Sequence, residues 1–390
     1  MTAAAAGSRV RVGIVGCGNI ARSHARAYVA NPHVDLVGVY DIDPSHSAAY
    51  AEEFGTTAYD SLADLAAQGP QLVSVATPPG SHTEVTVAVL GLGCSVLLEK
   101  PPVINLADLD TIAAAESASA GSVYVVFQHR HGSGALRAKQ LLGTGSLGVP
   151  QVAVCETLWY RPDSYFDPDW RGNWAGEGGG PTLGHGIHQI DLLLHLLGEW
   201  TTLDAKAARI ARPIEFEDVS MAVVTFANGA LGSVVTSLLS PRELSRIRID
   251  TTGGTLEVNH LYGYRDADWS WFPVPDEATA AANGRDPELA RSGGESAAPV
   301  DAWQRSAATD LPSNHAAQIN ELVDDLRAGR PHSTTLASTR PTMEFVTALY
   351  ASALEGDTIR RSDLTADRPF YHRLDGGSPA DLVTRRMTLP

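Results

Sequence analysis

The chain has 390 residues, 44% of them hydrophobic and 19% charged, which excludes global disorder and leaves room for two domains. With 45 acidic and 29 basic side chains, its formal net charge of −16 argues against nucleic acid or an anionic membrane as the main partner. Three widely separated cysteines provide neither a disulfide framework nor a zinc knuckle. We find no apolar leader and no run of 18 apolar residues. These features predict a cytoplasmic protein that binds a small molecule.

The first predicted strand ends in a turn that contains Gly16 and Gly18, and a helix-like stretch follows at once. Gly16 permits a tight turn, and Gly18 lets the main chain approach a pyrophosphate closely. Asn19 and Ile20 come next, at the start of the helix, where unpaired N–H groups and the helix dipole favour phosphate. The pattern predicts a dinucleotide site, although a plain strand-to-helix turn would show the same glycines.

The second predicted strand, residues 34–40, is followed by Asp41. A carboxylate at this position accepts hydrogen bonds from the adenosine ribose and repels a 2′-phosphate. No Arg or Lys occurs from residue 41 to residue 51, which favours NAD over NADP as the cofactor. The alternative is an ordinary turn residue ahead of the next helix, because Asp is common in turns.

Strands and helical stretches alternate as far as residue 127, which predicts an α/β fold with a parallel Rossmann sheet in residues 1–127. Ligands of such sheets lie beyond the carboxyl ends of the strands. The further residues that we expect to bind the cofactor there are Thr77, Pro78, Pro79, His82, Glu99, Lys100 and Gln128. Lys100 follows a buried strand, so its ammonium needs a partner in the cleft unless it lies on a surface loop. His129 and His131 are predicted to lie in a hydrated loop.

Residues 128–390 are predicted to form a second, α+β domain with a large, mainly antiparallel open sheet. Its predicted strands and helices are 149–158, 218–226, 231–239, 246–250, 254–258, 315–327 and 342–354. An Asn-Gly turn joins the second and third of these strands into a hairpin. Residues 266–311 are polar and weakly patterned, and we interpret them as an inserted loop.

An aromatic and arginine-rich stretch early in this domain contains Tyr160, Arg161, Trp170 and Trp174. Aromatic faces cover the C–H face of a sugar ring, and Arg binds hydroxyl or acidic groups. We therefore expect these four residues to bind a small polyhydroxylated substrate. A hydrophobic cluster beneath a long loop explains them equally well.

The sharpest pattern lies in a helix predicted from Thr182 to Gly198. Apolar residues recur there at spacings of four and three and form one stripe for the core. A second stripe at the same spacings contains Gly184, His188, Asp191 and His195, which indicates a row of residues that faces a cleft. Asp191 is expected near His188, where it would orient the ring or stabilise its charge.

This ordered set of motifs resembles the Gfo/Idh/MocA family of sugar and cyclitol dehydrogenases, from about residue 9 to residue 359. The resemblance implies that Lys100 is the active-site lysine, that His188 handles the proton and that the Lys100–Pro101 peptide is cis. It also implies a homodimer or homotetramer formed through the open sheet. The chain departs from the family at Gly184, where many members carry Asp. His185 follows this glycine and joins the candidate catalytic and substrate-binding residues.

We interpret the chain as an NAD-dependent oxidoreductase that acts on a secondary alcohol of a sugar, sugar derivative or cyclitol. His188 would accept the proton while Lys100 holds the reacting oxygen, or the two roles would be exchanged; with His185, both would contact the substrate. Two other function classes stay open: a glycosidase that recycles a bound NAD, and a non-catalytic NAD- or sugar-binding regulator. A zinc site at His185, His188 and Asp191 lacks a fourth ligand, and we expect no metal.

Overall fold

The computed structural model describes residues 9–275, 303, 309–378, 383, 384 and 387. These residues contain a five-stranded sheet and an eight-stranded sheet. Within them, no helix is long and apolar enough to cross a bilayer.

The first sheet is parallel, and its strands lie in the order β2-β1-β3-β4-β5. The strands are β1 (Val10–Val15), β2 (Val34–Tyr40), β3 (Leu72–Val75), β4 (Ser95–Leu98) and β5 (Val123–Val125). In β3, Val73 and Val75 point into one core cluster, whereas Leu72, the first residue of the strand, belongs to a second cluster. Both faces of the sheet are therefore covered, which explains why these strands are apolar throughout. The predicted Rossmann sheet is confirmed.

Helices connect these strands. They are α1 (Asn19–Ala30), α2 (Pro44–Phe54), α3 (Leu62–Ala66), α4 (His82–Gly91) and α5 (Leu106–Ala118). The side chains of Asp43, Ser61 and Asn105 accept N–H groups at the starts of α2, α3 and α5, so local sequence sets where these helices begin. Helix α1 begins after Gly18 and has no side-chain cap among the described residues.

The second sheet has the order β12-β11-β10-β6-β9-β8-β7-β13, and all its neighbours are antiparallel except β6 and β9. Its strands are β6 (Pro150–Tyr160), β7 (Trp200–Ala208), β8 (Val219–Phe226), β9 (Leu231–Ser237), β10 (Leu239–Thr251), β11 (Gly254–Asn259), β12 (Trp269–Pro273) and β13 (Ile359–Arg360). The turn between β8 and β9 is the predicted Asn-Gly turn, with Gly229 at φ +89°. The predicted antiparallel sheet and both of its hairpins are confirmed.

The remaining helices are α6 (Ser133–Gly143), α7 (Trp174–Glu177), α8 (Pro181–Gly184), α9 (Ile187–Leu197), α10 (His315–Ala328), α11 (Leu336–Glu355) and α12 (Pro369–His372). Helices α9 and α11 pack on the second sheet through β6 and β7 respectively. Ile187, Ile190 and Leu194 of the predicted apolar stripe are buried in its core. On β8, Met221 and Val223 alternate with buried residues and remain exposed on the other face of the sheet.

Helix α10 packs against the first domain, although the sequence placed it in the second. Its residues Ile319, Leu322 and Val323 lie in the same core cluster as Val12 and Ile14 of β1. It also contacts α1. The apolar stripe of this helix therefore faces the parallel sheet, and the division of the chain at residues 127 and 128 stays a prediction.

The helix predicted from Thr182 to Gly198 is in fact two helices. Helix α8 ends at Gly184, and α9 begins at Ile187. A Cβ atom at Gly186, between them, would lie 2.5 Å from the side chain of Thr236, so the break lets the chain pass close to β9. The row that we predicted from Gly184 to His195 therefore does not share one helix.

The predicted loop at 266–311 is wrong at its start. Residues 269–273 form β12, in which Trp269 and Trp271 are buried alternately. This two-residue period was a strand signal that the polar composition of the region obscured. Residues 276–302 and 304–308 of that loop lie outside the described residues.

Candidate active site

The glycine turn after β1 has the geometry that a pyrophosphate needs. Gly16 has φ +89°, and a Cβ atom there would lie 2.8 Å from the main chain of Ala76. A Cβ atom at Gly18 would meet no described atom within 4 Å, and Asn19 and Ile20 follow in the exposed first turn of α1. Open space therefore lies beside a helix N-terminus that no described side chain caps. This cradle fits a dinucleotide phosphate.

Asp41 lies directly beside this turn. Its Oδ2 accepts the N–H of Cys17 at 2.7 Å, and its Oδ1 accepts the N–H of Asp43 at 2.9 Å. A carboxylate has about four lone-pair sites, so it can also accept ribose hydroxyl groups. Asp41 thus stabilises the glycine turn, a contact that its spacing in the sequence did not predict.

The loop after β3 carries Thr77, Pro78 and Pro79, and it continues into α4 at His82. The buried ring of His82 contacts the carbonyl oxygens of Thr77 and Pro101, each at 2.8 Å. His82 therefore ties the loop after β3 to the loop after β4. Both ring nitrogens are engaged with the main chain, and the contact of His82 with a cofactor stays a prediction.

Glu99 follows β4 and is buried in a hydrogen-bond network. Its Oε1 accepts from His24 Nε2 at 2.8 Å and from His315 Nε2 at 3.0 Å, and its Oε2 accepts the N–H of Lys100 at 3.0 Å. Burial raises the pKa of this carboxyl group, but the bonds from the two histidines outweigh burial and hold the pKa well below its usual value. The negative charge of Glu99 is therefore fixed next to Lys100, and its contact with the cofactor stays a prediction.

The hydrogen bonds of His24 indicate its protonation state. Its Nδ1 lies 3.0 Å from Ser74 Oγ, which in turn lies 2.6 Å from the hydroxyl of Tyr28. A neutral ring that accepts from Ser74 and donates to Glu99 satisfies both contacts. Burial lowers the pKa of His24, which agrees with the neutral form.

Lys100 joins the two parts of the site. Its Nζ donates to the carbonyl oxygen of Gly184 at 3.0 Å, and the Lys100–Pro101 peptide is cis, as the resemblance implied. Burial lowers the pKa of Lys100; the charge of Glu99 opposes this shift and that of Arg171 adds to it. An ammonium with a lowered pKa can both polarise a hydroxyl group and exchange a proton with it.

His188 is buried near the start of α9, and among the described residues neither of its ring nitrogens has a hydrogen-bond partner. Its ring centroid lies 4.8 Å from that of His129, 5.4 Å from Tyr262 and 6.1 Å from Phe127. Burial holds the pKa of His188 well below its usual value, and the charges of Lys100 and His129 lower it further. The imidazole is therefore neutral at neutral pH, with a nitrogen free to accept a proton.

The predicted contact between Asp191 and His188 is wrong. The buried carboxylate of Asp191 accepts from Arg130 Nε at 2.7 Å, from the Nη2 of the same arginine, and from Thr342 Oγ1 at 3.0 Å. Arg130 follows β5, so this ion pair joins the end of a strand of the parallel sheet to α9. Asp191 positions the helix that carries His188 and is not a partner of the ring.

His185 lies in the break between α8 and α9. Its Nε2 is 3.3 Å from the hydroxyl of Tyr165, and its ring packs edge-on against Trp159 with centroids 5.1 Å apart. Its Nδ1 has no partner in the described part of the chain. The hydroxyl of Tyr262 contacts its carbonyl oxygen at 3.4 Å. His185 thus lies beside the aromatic stretch that follows β6.

Two arginines stack on aromatic rings in that stretch. The guanidinium carbon of Arg161 lies 4.6 Å from the ring centroid of Trp159 and 5.4 Å from that of Tyr165. That of Arg171 lies 4.0 Å from Tyr165 and 4.2 Å from Trp170. We call these five residues the arginine–aromatic cluster. This cluster contacts His185 through Tyr165, and a role of Arg161 and Trp170 in binding the substrate stays a prediction.

The other two predicted substrate residues pack elsewhere. Trp174 lies against Phe216 and Tyr350, with ring centroids 5.6 Å away in both cases. Tyr160 is 42% exposed and stacks under Arg212. The alternative of a hydrophobic cluster beneath the loop is therefore correct for Trp174.

Glu217 holds α8 in place. Its buried carboxylate accepts the N–H groups of Gly180 and Thr182 at 3.3 and 3.1 Å, and both of its oxygens lie 2.8 Å from the hydroxyl of Tyr350. Burial raises the pKa of Glu217 to about 7. The orientation of Gly184 and of the carbonyl that Lys100 contacts depends on this anchor.

Sequence reasoning missed His129 and Tyr262, whose rings lie beside that of His188. His129 and His131 are buried, and the hydrated loop predicted for them is wrong. Gln128 before them is also buried, and its Oε1 has no partner among the described residues, which suits a polar ligand at the end of β5. The available signal was their position, directly after a strand of the parallel sheet. Tyr262 follows β11 and no pattern in the sequence marked it.

Comparisons with known proteins agree with this geometry. A model described as an oxidoreductase family with an NAD-binding Rossmann fold matches residues 10–127, and a model described as the GFO/IDH/MocA C-terminal domain matches residues 135–257. Among curated proteins, D-apiose dehydrogenase of Paraburkholderia graminis is 26% identical over 95% of this chain and 94% of its own. D-glucoside 3-dehydrogenase of Escherichia coli is 28% identical over 67% of this chain and 81% of its own.

A solved structure is similar over almost its full length. It is the WlbA dehydrogenase from Bordetella pertussis in complex with NADH and UDP-GlcNAcA, which is 25% identical. The alignment covers 92% of this chain and 99% of that one, with a TM-score of 0.76.

Proposed function

Because the chain belongs to the Gfo/Idh/MocA family of NAD-binding oxidoreductases, we propose that it transfers hydride between NAD and a secondary hydroxyl group or ketone of a sugar, sugar derivative or cyclitol. The relatives named as D-apiose and D-glucoside dehydrogenases, and an inositol 2-dehydrogenase that is 32% identical over 52% of this chain, support that substrate class.

One observation carries the proposal: the buried ring of His188 has no hydrogen-bond partner among the described residues, and the partly buried Lys100 is near enough for its charge to lower the pKa of that ring. His188 has two ring nitrogens that no described residue occupies, and the charge of Lys100 contributes to its lowered pKa. A secondary hydroxyl group that enters between them would meet a cation for its oxygen and a base for its proton.

The first domain would hold the cofactor. Gly16 and Gly18 with the first turn of α1 would bind the pyrophosphate, and Asp41 would bind the ribose. Gln128 would contact the nicotinamide end of the cofactor. Thr77, Pro78 and Pro79 lie at the next strand end along the same edge. When bound, NAD supplies the hydride acceptor, and the protein supplies position and proton transfer.

We assign proton acceptance to His188 and stabilisation of the developing alkoxide to Lys100. The neutral state of His188 supports the first role, and the ammonium of Lys100 supports the second. The lowered pKa of Lys100 also permits the exchange of these roles. His185 would contact the substrate through its free Nδ1.

We further propose that copies of the chain associate through the outer face of the eight-stranded sheet. Val152, Met221, Val223 and Leu231 are each about half exposed on strands of this sheet, which supports a face that is covered in an assembly. Light scattering of the wild type and of Met221→Lys/Val223→Lys tests this. A monomeric wild type would contradict it.

A cytoplasmic location stays a prediction. The three cysteines are free and buried, which fits a reducing compartment.

The test of the activity mixes the protein with NAD and a panel of sugars, inositols and glycosides, and follows NADH absorbance while the products are separated. We expect NADH formation that is lost in Lys100→Ala and in His188→Ala. Lys206→Ala and His33→Ala, two changes at exposed residues, serve as controls. Release of an aglycone without NADH, or NAD binding without any product, would contradict the proposed function.

A further inference from the structure

We propose that the substrate carries an anionic group, a carboxylate or a phosphate, which Arg161 and Arg171 of the arginine–aromatic cluster bind next to the reacting hydroxyl. This inference rests on the proposed function, because it names the substrate class of the same site. Both side chains are partly exposed, at 22% each, and can be reached by a ligand.

The cluster holds both guanidinium groups in defined positions. Arg171 lies 4.0 Å from the ring centroid of Tyr165 and 4.2 Å from that of Trp170, while Arg161 lies over Trp159 at 4.6 Å. A guanidinium that stacks on an aromatic face keeps its N–H edges available in the plane, where carboxylate and phosphate oxygens bind in pairs. Arg161 Nη1 donates to the carbonyl oxygen of Tyr160 at 2.8 Å and Arg171 Nη1 contacts Glu177 at 3.4 Å, so the remaining N–H groups of each guanidinium are the ones that would bind an oxyanion.

The cluster also lies close to the reacting groups. The hydroxyl of Tyr165 is 3.3 Å from His185 Nε2. The charges of Arg161 and Arg171 both lower the pKa of His185, and that of Arg171 lowers the pKa of Lys100 as well. A small molecule with an anionic group bound at the cluster could therefore place one of its hydroxyl groups at Lys100.

The carboxylates near the two arginines neutralise them only in part. Glu243 pairs with Arg161 at 3.1 Å but is 53% exposed, so water and salt weaken this pair. Glu177 Oε1 lies 3.4 Å from Arg171, and its other carboxylate oxygen accepts the N–H of Gly172. Burial raises the pKa of Glu177.

The residue whose carbonyl oxygen accepts from Lys100 Nζ adds no carboxylate of its own. Residue 184 is glycine, and a Cβ atom there would meet no described atom within 4 Å. Arg161 and Arg171 place two partly exposed cations on this side of the site, each beside one carboxylate, in a protein whose net charge is −16. The acidic surface would repel an anionic ligand, so a local positive site is needed to bind one. Arginine offers five donors and no acceptor, which matches an oxyanion better than hydroxyl groups that both donate and accept.

The experiment compares matched substrates with the full-length protein and NAD. Initial rates of NADH formation are measured with D-glucose, D-glucuronate and D-glucose 6-phosphate, and with the corresponding galactose series. We expect kcat/KM to be at least about tenfold higher for one anionic form than for the neutral sugar. The uronate and phosphate arms tell the two sources of negative charge apart.

Variants then locate the anion. Arg171→Gln and Arg161→Gln are expected to lower kcat/KM for the anionic sugar by about 10- to 100-fold more than for the neutral sugar. Arg212→Gln removes a comparable cation, which stacks on Tyr160 and pairs with Asp163, and is expected to leave the ratio unchanged. Gly184→Asp adds a carboxylate beside Lys100 in open space and is expected to reverse the preference towards neutral sugars.

Calorimetric titration of the protein–NAD complex with the same sugars separates the two proposals. NADH formation that is equal for neutral and anionic sugars, and unchanged in Arg171→Gln, would overturn the inference and leave the proposed function standing. Binding of the anionic sugar that is lost in Arg171→Gln, without NADH from any sugar, would support the inference and overturn the function. Failure of every anionic sugar to bind more tightly than its neutral counterpart would overturn the inference in either case.

Discussion

Lys100 and Gly184 are joined directly, because the lysine ammonium donates a 3.0 Å hydrogen bond to the glycine carbonyl. Lys100 follows β4 and Gly184 ends α8, so this bond connects the parallel sheet to the segment that carries His185 and His188. The ammonium has two further N–H donors, so a substrate hydroxyl group can accept one of them while the bond to Gly184 stays in place. The arrangement of the reacting groups therefore depends on how α8 is held as well as on the first domain.

Replacement of Lys100 distinguishes its two roles. Lys100→Met removes the charge and is expected to lower kcat by about 10²- to 10⁴-fold. Lys100→Arg keeps a cation that does not lose its proton, so it should retain at least about tenfold more activity than Lys100→Met if the lysine acts electrostatically. Stopped-flow NADH formation measures both rates. Equal inactivity of the two variants, together with normal NAD affinity, would assign the base to Lys100.

The two glycines of the first turn should respond differently to alanine. Gly16→Ala forces a side chain into φ +89° and against the main chain of Ala76, so we expect it to cost more than about 1 kcal/mol of unfolding free energy. Gly18→Ala meets open space and should change stability by less than about 0.5 kcal/mol. Because a pyrophosphate would use that space, the Kd for NAD should rise about tenfold or more in Gly18→Ala. Urea unfolding and NAD titration give both quantities, and a Gly18→Ala protein with unchanged NAD affinity would move the cofactor away from this turn.

Glu217→Gln tests the anchor of α8. Both oxygens of the carboxylate accept main-chain N–H groups, and an amide would turn its own NH₂ towards one of these donors. We expect a loss of about 1 to 3 kcal/mol in unfolding free energy and a lower kcat, because Gly184 shifts against Lys100. Urea unfolding compares this variant with Glu52→Gln, a change at an exposed residue. Unchanged stability would mean that the N–H groups of Gly180 and Thr182 find other partners.

Stability should fall as the solution is acidified from pH 6.5 to pH 5. Burial lowers the pKa of His129 to about 3, so in this window the unfolded chain binds a proton at this residue that the folded chain does not. The free energy of unfolding then decreases as pH falls, by about 1 kcal/mol per pH unit for one such histidine. His129→Phe should lose less stability than the wild type across the window, whereas His33→Ala, at an exposed site, should match the wild type. Parallel curves for His129→Phe and the wild type would show that the ring is not buried in its neutral form.

Much of the first domain and the order of its strand ends could be predicted from the sequence, because buried parallel strands and their turns are local signals. Gly16, Asp41 and Lys100 each follow an apolar strand, and the topology alone brings them to one edge. The contacts of Asp191 could not be predicted in this way. Its partner Arg130 is 61 residues earlier and Thr342 is 151 residues later, so a helical spacing of three suggested His188 instead.

The burial of His129 and the place of Tyr262 beside His188 also depend on how the two domains meet, which no local pattern encodes. The break at His185 and Gly186 was hidden because the apolar spacing continues across it. Only the close approach of Gly186 to Thr236 in the folded chain reveals why a glycine occurs there.

The packing of α10 against β1 sets an order of events during synthesis. Ile319, Leu322 and Val323 complete a core that also contains Val12 and Ile14, yet they are translated about 200 residues after β5. At ribosomal rates of 5 to 20 residues per second, the parallel sheet would wait about 10 to 40 s for its last covering helix. A nascent chain that has reached β5 still exposes this apolar face, so it is a natural client for chaperones until α10 emerges.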